Sequence, residues 1–355
     1  MKRVTIAGTQ GVPAKYGGFE TLAENIIGDN CSRDISYTVF CSSKEISPQR
    51  PYYKRAKLKY IPIKANGAMS VIYDIICMLR SAYGYDVILL LGISGGLFLP
   101  FFRLFYRKRI IINIDGMEYR RNKWNKFAQH YLFLSEKAAV KYADIIIADN
   151  HRIQEYVWET YRKHAVLIPY GGDNALRTVS AQQEEDILNK YNLVPGKYSL
   201  TICRIVPENN IHMLLKAFSE TNEPYVFVGN WDRSHYGRTL KKKYSRYSHI
   251  TILDPLYNLD ALYVLRKHTK HYIHGHSAGG TNPSLVEAMA CQCNIIAFDA
   301  IYNKQTTENK ATYFHTAAEL KEIIQNKVDN SQEMKEISDR KYMWTSIARQ
   351  YENLY

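Results

Sequence analysis

His274-Gly275-His276-Ser277-Ala278-Gly279-Gly280-Thr281-Asn282-Pro283-Ser284-Leu285-Val286-Glu287-Ala288-Met289-Ala290 reads as the end of an apolar strand, a glycine turn and the opening of a helix. Two adjacent glycines let the backbone approach a ligand closely. The unpaired amides and the positive dipole end of the following helix favour an anion there, as a diphosphate would supply. Glu287 falls about one turn further along that helix, where a carboxylate accepts hydrogen bonds from the vicinal hydroxyls of a ribose. Phosphate and ribose together point to a nucleotide.

Working outward, short apolar and β-branched runs alternate with helical patterns. Val4–Ala7, Tyr37–Cys41, Leu58–Ile63, Val87–Leu91, Ile110–Ile114, Ile145–Ala148 and Val166–Ile168 read as strands, with amphipathic helices such as Ser70–Tyr83 and Lys123–Tyr142 between them. After Tyr170-Gly171-Gly172-Asp173 the pattern restarts with Ser199–Cys203, Tyr225–Val228, Ile250–Leu253, Tyr272–His274 and Ile295–Phe298. Continuous apolar strands separated by helices imply parallel sheets covered on both faces. The expected fold is α/β, with two doubly wound Rossmann-like domains in tandem, 1–172 and 173–340. The closing segment 341–355 reads as an amphipathic helix whose aromatics bury one face.

Length agrees, because 355 residues exceed what a single core of ~250–300 residues accommodates. A hydrophobic content of 46% without repeats or biased tracts describes a folded chain. The six cysteines are scattered, without paired metal-ligand or thiol-exchange spacing, which fits buried thiols in a reducing cytosol. Met1-Lys2-Arg3-Val4-Thr5-Ile6-Ala7-Gly8 reaches a polar turn before any signal-peptide core develops, and reads as a first strand. The longest uncharged run, 87–102, is too short for a membrane span and is broken by Gly92, Gly95, Gly96 and Pro100; a strand, a turn and a short helix are expected instead. The net charge of +13 is unevenly spread: residues 1–172 hold 25 Lys+Arg against 14 Asp+Glu, and the remainder 22 against 20. The first half is thus suited to an anionic partner.

In doubly wound sheets, ligands bind beyond the carboxyl ends of the strands, and three further motifs fall there. Gly8-Thr9-Gln10-Gly11-Val12-Pro13-Ala14-Lys15-Tyr16-Gly17-Gly18-Phe19-Glu20 follows the first strand; it lacks dinucleotide-fingerprint spacing, but Gly17-Gly18 at a helix start suits a phosphate or sugar. Asp115-Gly116-Met117-Glu118-Tyr119-Arg120-Arg121 carries carboxylates and guanidiniums for sugar hydroxyls and anions, with Asp115 also a possible general base or electrostatic stabiliser, or else a mutual salt-bridge cluster. Cys203-Arg204-Ile205-Val206-Pro207-Glu208-Asn209-Asn210 aims Arg204 at a diphosphate.

These four blocks, in this order and spanning the whole chain, resemble the retaining GT-B glycosyltransferases of family 4. More narrowly they resemble the bacterial rhamnosyltransferase-type branch whose N-terminal domain carries the DUF1972 signature. The resemblance implies two Rossmann-like domains facing a central cleft, with the C-terminal helix crossing back to the first domain. It implies that Arg204 and the Gly280-Thr281 amides bind the donor diphosphate, with Gly279 and Asn282 in the same turn and Glu287 on the ribose. Gly17 and Gly18 would close over the donor, and Asp115 would lie near the transfer centre, making Asp115, Arg204 and Glu287 the catalytic set. His276 joins the donor set as a histidine beside the phosphate turn, with a structural role as its alternative. Lys15, Glu20, Glu118, Arg120 and Arg121 are the candidate acceptor residues.

Two departures stand out. Many relatives carry glutamate where this chain has Gly279, and many carry lysine five positions after the arginine, where it has Asn209. A deoxysugar donor such as dTDP-rhamnose fits the missing carboxylate, since an absent hydroxyl needs no partner. The expected reaction moves that sugar from its nucleotide diphosphate to a hydroxyl of a saccharide, with retention of configuration. No Asp-x-Asp motif lies at a suitable strand end, so neither metal nor other cofactor is expected; Arg204, helix amides and Lys15 would neutralise the leaving group.

Phe98-Leu99-Pro100-Phe101-Phe102-Arg103-Leu104-Phe105-Tyr106-Arg107-Lys108-Arg109 combines aromatics and cations, as for a helix on anionic lipid headgroups or for a core helix ending in solvated cations. The expected partners are a nucleotide sugar, a lipid-diphosphate-linked saccharide used in surface polysaccharide or capsule assembly and an anionic membrane surface, not nucleic acid. The expected location is cytoplasmic, peripheral at the inner face of the cell membrane. A sugar-nucleotide epimerase of the same fold would need no acceptor surface, and a non-catalytic basic nucleotide- or nucleic-acid-binding protein would leave Arg204, the Gly279-Gly280 turn and Glu287 unexplained.

Overall fold

The computed structural model describes residues 1–14, 17–28, 32–114, 116, 119, 125–326 and 328–355. The chain divides into two compact units, Met1–Tyr170 together with Trp344–Tyr355, and Gly171–Met343.

The first unit is built on eight strands: β1 Lys2–Ala7, β2 Ile35–Ser42, β3 Tyr52–Tyr53, β4 Ala56–Ile61, β5 Val87–Leu91, β6 Arg109–Asn113, β7 Ile145–Ala148 and β8 Val166–Leu167. Their order across the sheet is β3-β4-β2-β1-β5-β6-β7-β8, parallel throughout except for β3 against β4. The central strands are apolar along their whole length because helices cover both faces; every residue of β5, Val-Ile-Leu-Leu-Leu, is buried. On one face, Ile88, Leu90, Ile110 and Ile112 pack with Tyr73 and Met78 of the helix Met69–Ser81, Phe102 of Leu99–Phe105 and Ala139 of Lys126–Tyr142. The run from Val87 resolves into strand, turn and short helix, and among the described residues no helix is long and apolar enough to cross a membrane.

The final helix, Trp344–Leu354, belongs to this first unit. Ile347 and Tyr351 are fully buried, Asn113 Nδ2 at the end of β6 donates to Tyr351 Oη at 2.7 Å, and the Tyr355 ring meets Tyr37 edge-on at 5.9 Å. The helix begins three residues later than the segment 341–355 read from the sequence. Tyr342 stays with the second unit, where its hydroxyl donates to the Thr306 carbonyl at 2.8 Å and its own carbonyl accepts from Gly172 N.

The second unit holds six parallel strands, β9 Ser199–Ile202, β10 Tyr225–Val228, β11 Ile250–Leu253, β12 His271–His274, β13 Ile295–Phe298 and β14 Thr312–Phe314, in the order β11-β10-β9-β12-β13-β14. Helix starts are marked by side-chain caps: Ser180 and Gln183 form a reciprocal capping box, and Asn258 and Thr316 each accept from the third backbone amide on. In both sheets the chain works outward in one direction and then returns to build the other side. The reversal falls between β1 and β5 in the first sheet and between β9 and β12 in the second. Loops leaving the carboxyl ends of such a strand pair diverge and leave a crevice between them, which is where ligands bind in open α/β sheets.

Candidate functional site

In the second unit, the loops after β9 and β12 contain Arg204 and the Gly279-Gly280 turn, on either side of the reversal point. They are tied together before any ligand arrives. Ser277 sends both its amide (2.9 Å) and its hydroxyl (2.8 Å) to the Glu208 carbonyl, and Asn210 Nδ2 donates to the Gly275 carbonyl at 3.0 Å. Asn209, 5% exposed, donates through Nδ2 to the Arg204 carbonyl at 2.7 Å, which leaves its Oδ1 to accept from His276 Nδ1 at 3.0 Å. That pairing places a proton on Nδ1 and turns Nε2 toward Gly279.

Gly279 has φ +131, and a β-carbon there would come 2.9 Å from His276 Nε2. Glycine is required twice over, by backbone conformation and by the imidazole. The His276 carbonyl in turn accepts from Asn303 Nδ2 at 2.8 Å, which joins the β12 loop to the short helix Ile301–Thr306 after β13. Neighbouring His274 is different: it is 3% exposed, its Nε2 has no partner, and burial pushes its pKa down to about 3, so it is held neutral and apart from proton traffic.

The Arg204 side chain is exposed, and among the described residues it forms no ion pair, so its charge is available to an anion. The helix Pro283–Ala290 opens with Asn282, whose side chain accepts from Ser284 N at 3.0 Å, and with proline at its first position. Thr281 is buried at the turn. Glu287 has a role that was not evident from its position in the motif. Its Oε2 accepts from Arg266 Nη2 at 2.5 Å and its Oε1 from Asn174 Nδ2 at 3.2 Å. Arg266 is 4% exposed at the end of the helix Leu259–Lys267, and the Glu287 carboxylate holds its charge against the cost of burial. Each carboxylate oxygen has a second lone pair, so the fixed Glu287 still has acceptor capacity for hydroxyls.

In the first unit, the corresponding reversal point is flanked by the loops after β1 and β5. Gly17 has φ +123 and precedes the helix Gly18–Ile26. A β-carbon on it would lie 2.1 Å from Glu20 Oε2, so its bareness lets the Glu20 carboxylate fold back, where Oε1 accepts from Gln10 N at 2.8 Å. Glu20, 8% exposed, thus fastens the glycine loop to the helix that follows it. Lys15, Asp115, Glu118, Arg120 and Arg121 lie outside the described residues. Asn174, Arg266 and Asn303 escape sequence reasoning. Arg266 ends the run Leu262-Tyr263-Val264-Leu265-Arg266 and reads like the solvated edge of an amphipathic helix.

Residues 1–173 match the model of a domain of unknown function, DUF1972, and residues 183–344 match the model of glycosyl transferases group 1. No curated protein matches the chain significantly. Among solved structures, it is similar to sucrose-phosphate synthase from Thermosynechococcus elongatus, with a TM-score of 0.79 at 17% identity over 100% of this chain and 98% of that one. It is similar to Anabaena HepE in complex with UDP-glucose, with a TM-score of 0.76 at 15% identity over 99% and 98%. The catalytic domain of starch synthase IV from Arabidopsis thaliana, bound to ADP and acarbose, has a TM-score of 0.73 at 14% identity over 100% and 98%. The chain thus joins a DUF1972 domain to a domain of glycosyl transferases group 1 in a two-domain GT-B fold, which supports sugar transfer.

Proposed function

We propose that the protein transfers rhamnose from dTDP-rhamnose to a hydroxyl of a lipid-diphosphate-linked saccharide during surface polysaccharide assembly. The work takes place in the cytoplasm at the inner face of the cell membrane, with retention of configuration and without a metal. The observation that carries the donor half is the tying together of two loops at the reversal point of the second sheet. The exposed Arg204 and the Gly279-to-Asn282 turn there flank one crevice, with Glu287 fixed behind them. An exposed guanidinium, a glycine turn and a helix amino end suit a diphosphate, and a carboxylate held by Arg266 and Asn174 suits ribose hydroxyls. HepE, a GT-B relative in fold, is recorded with UDP-glucose bound, which supports a nucleotide sugar as donor.

As the diphosphate departs, Arg204 and the amides of Gly280 and Thr281 stabilise its growing charge, and His276 stands beside them. Gly17 and Gly18 also serve the donor. Asp115 is assigned to the transfer chemistry, and Lys15, Glu20, Glu118, Arg120 and Arg121 to the acceptor. The absence of a carboxylate at position 279 favours a donor lacking a hydroxyl there.

Thermal stabilisation by a panel of dTDP-, UDP- and GDP-sugars tests the reading, since a ligand at 100 times its Kd raises stability by about 2.7 kcal/mol. Stabilisation by dTDP-rhamnose, lost in Arg204→Ala, is expected. Arg204 is the clean control, because it is exposed and unpaired, whereas changing Glu287 also strands Arg266. A preference for another nucleotide sugar would remove the rhamnosyl assignment; indifference to all would remove the donor site.

A further inference from the structure

The helix Leu99–Phe105 is apolar on two opposite faces. Leu99 and Phe102 are buried in the core of the first unit, while Phe101, Leu104 and Phe105 are 61%, 75% and 78% exposed on the other side. Single exposed apolar residues are ordinary, but three on one short helix form a patch, and such a patch calls for an apolar environment on its outer side. The patch continues sideways: the Phe105 ring lies tilted against Tyr106 with centres 6.4 Å apart, and Tyr106 meets the exposed Tyr83 edge-on at 5.6 Å.

Cations border it. Arg103, Arg107, Lys108 and Arg109 line an open pocket of about 490 Å³ with Asp144 and Ile145. Arg103 neutralises Asp144 at 2.6 Å, and Lys108 Nζ is engaged by the Tyr85 carbonyl at 2.8 Å. Arg107 and Arg109 are exposed and form no ion pair among the described residues. The pocket sits where β6 and β7 begin, at the amino ends of the strands and so at the opposite end of the sheet from the crevice between β1 and β5.

We propose that this surface seats the first unit on an anionic lipid bilayer. Leu104, Phe105 and Phe101 enter the headgroup boundary, Tyr83 and Tyr106 lie at its level, and Arg107 and Arg109 meet lipid phosphates over the pocket. Aromatic and aliphatic tips ringed by unpaired guanidiniums match a surface that is apolar beneath and negative above. A second copy of the chain would bring the same cations face to face. The inference rests on the peripheral placement proposed above and names the surface responsible for it.

Flotation of the full chain with vesicles of phosphatidylcholine, alone or mixed with phosphatidylglycerol, is the test. Binding to the mixed vesicles alone is expected, weakening with salt. Arg107→Ala and Arg109→Ala should each weaken it about fivefold, the effect of one cation near an anionic leaflet. Leu104→Ser and Phe105→Ser should each weaken it about tenfold, with unchanged melting because both side chains already face water. Failure to float with mixed vesicles at low salt would overturn the proposal, as would variants that float like the parent, or a concentration-dependent dimer abolished by the same substitutions. Nucleotide-sugar binding reads out separately. A chain that binds donors but not vesicles defeats this inference and the membrane placement while sparing the donor site, and one that floats but ignores every donor defeats the proposed reaction alone.

Discussion

Replacing Arg266 with methionine should destabilise the second unit far more than removing one surface charge. The guanidinium is 4% exposed and donates to Glu287 Oε2 at 2.5 Å, and Glu287 itself is 18% exposed, with Asn174 on its other oxygen. Removing one partner of a buried pair leaves an uncompensated charge at about 3–5 kcal/mol. The residual exposure of Glu287 puts this case at the lower end, about 3 kcal/mol. For a unit spanning Gly171–Met343, each kcal/mol moves the melting point by about 2–4 °C, so a drop of about 6–12 °C is expected in its calorimetric transition. The double variant Arg266→Met/Glu287→Leu removes both charges and should recover most of the loss, because hydrophobic replacement of a buried pair is often neutral. A single variant melting within about 2 °C of the parent, or a double variant at least as unstable as the single, would refute the reasoning.

Asp74, 6% exposed on the helix Met69–Ser81, has its pKa pushed up to about 7 by burial, against the pull of the Gly95 amide. The folded chain keeps a proton that the unfolded chain releases near pH 4, so Asp74 lowers stability progressively from about pH 4 to about pH 7 and no further above it. Asp74→Asn should therefore gain more in melting temperature at about pH 8 than at about pH 5, and equal gains would count against the assignment. Gly279→Ala meets both φ +131 and His276 Nε2 at 2.9 Å; a loss of about 1–3 kcal/mol is expected, and adding His276→Ala should restore only the part owed to the contact, as read by thermal melts. Tyr351→Phe leaves Asn113 Nδ2 without its 2.7 Å acceptor and should cost about 1–3 kcal/mol in urea unfolding. Sugar transfer, once an acceptor is in hand, should persist in EDTA; its abolition there, with recovery on adding a divalent cation, would overturn the metal-free mechanism.

The central strands were legible because burial on both faces forces unbroken apolar, β-branched runs such as Val87–Leu91 and Ile145–Ala148. Of the four edge strands, Val166–Leu167 and Ile250–Leu253 were legible and two were not. Tyr52–Tyr53 is two residues long and pairs only with β4, and Thr312–Phe314 pairs only with β13, so neither carries a periodic signal. At the candidate site, the glycine turn and Arg204 could be picked out from the sequence by backbone demands and by position after a strand. Arg266 did not, since its meaning depends on Glu287, 21 residues away on another helix. Glu20 shows the converse: a carboxylate in a glycine loop suggests ligand chemistry, yet one of its oxygens is engaged by the loop's own Gln10 amide.

In sequence, Gly279 and Asn209 look like two independent departures, the loss of a carboxylate in one loop and of a cation in another. The structure makes them one. Asn209 is short and neutral, and it lies between the Arg204 carbonyl and His276 Nδ1, at 2.7 and 3.0 Å. Lysine offers no acceptor, so it would leave the imidazole's N–H without this partner. Once fixed by Asn209, the ring brings Nε2 to 2.9 Å from the place where a β-carbon at 279 would begin, so a side chain there is excluded for as long as His276 holds this pose. Restoring a glutamate at 279 alone should therefore fail through steric conflict and backbone strain. Restoring lysine at 209 alone should release the histidine and loosen the link between the two loops. Positions 209 and 279 are thus coupled through one imidazole, which Asn209 holds and which in turn leaves room only for glycine.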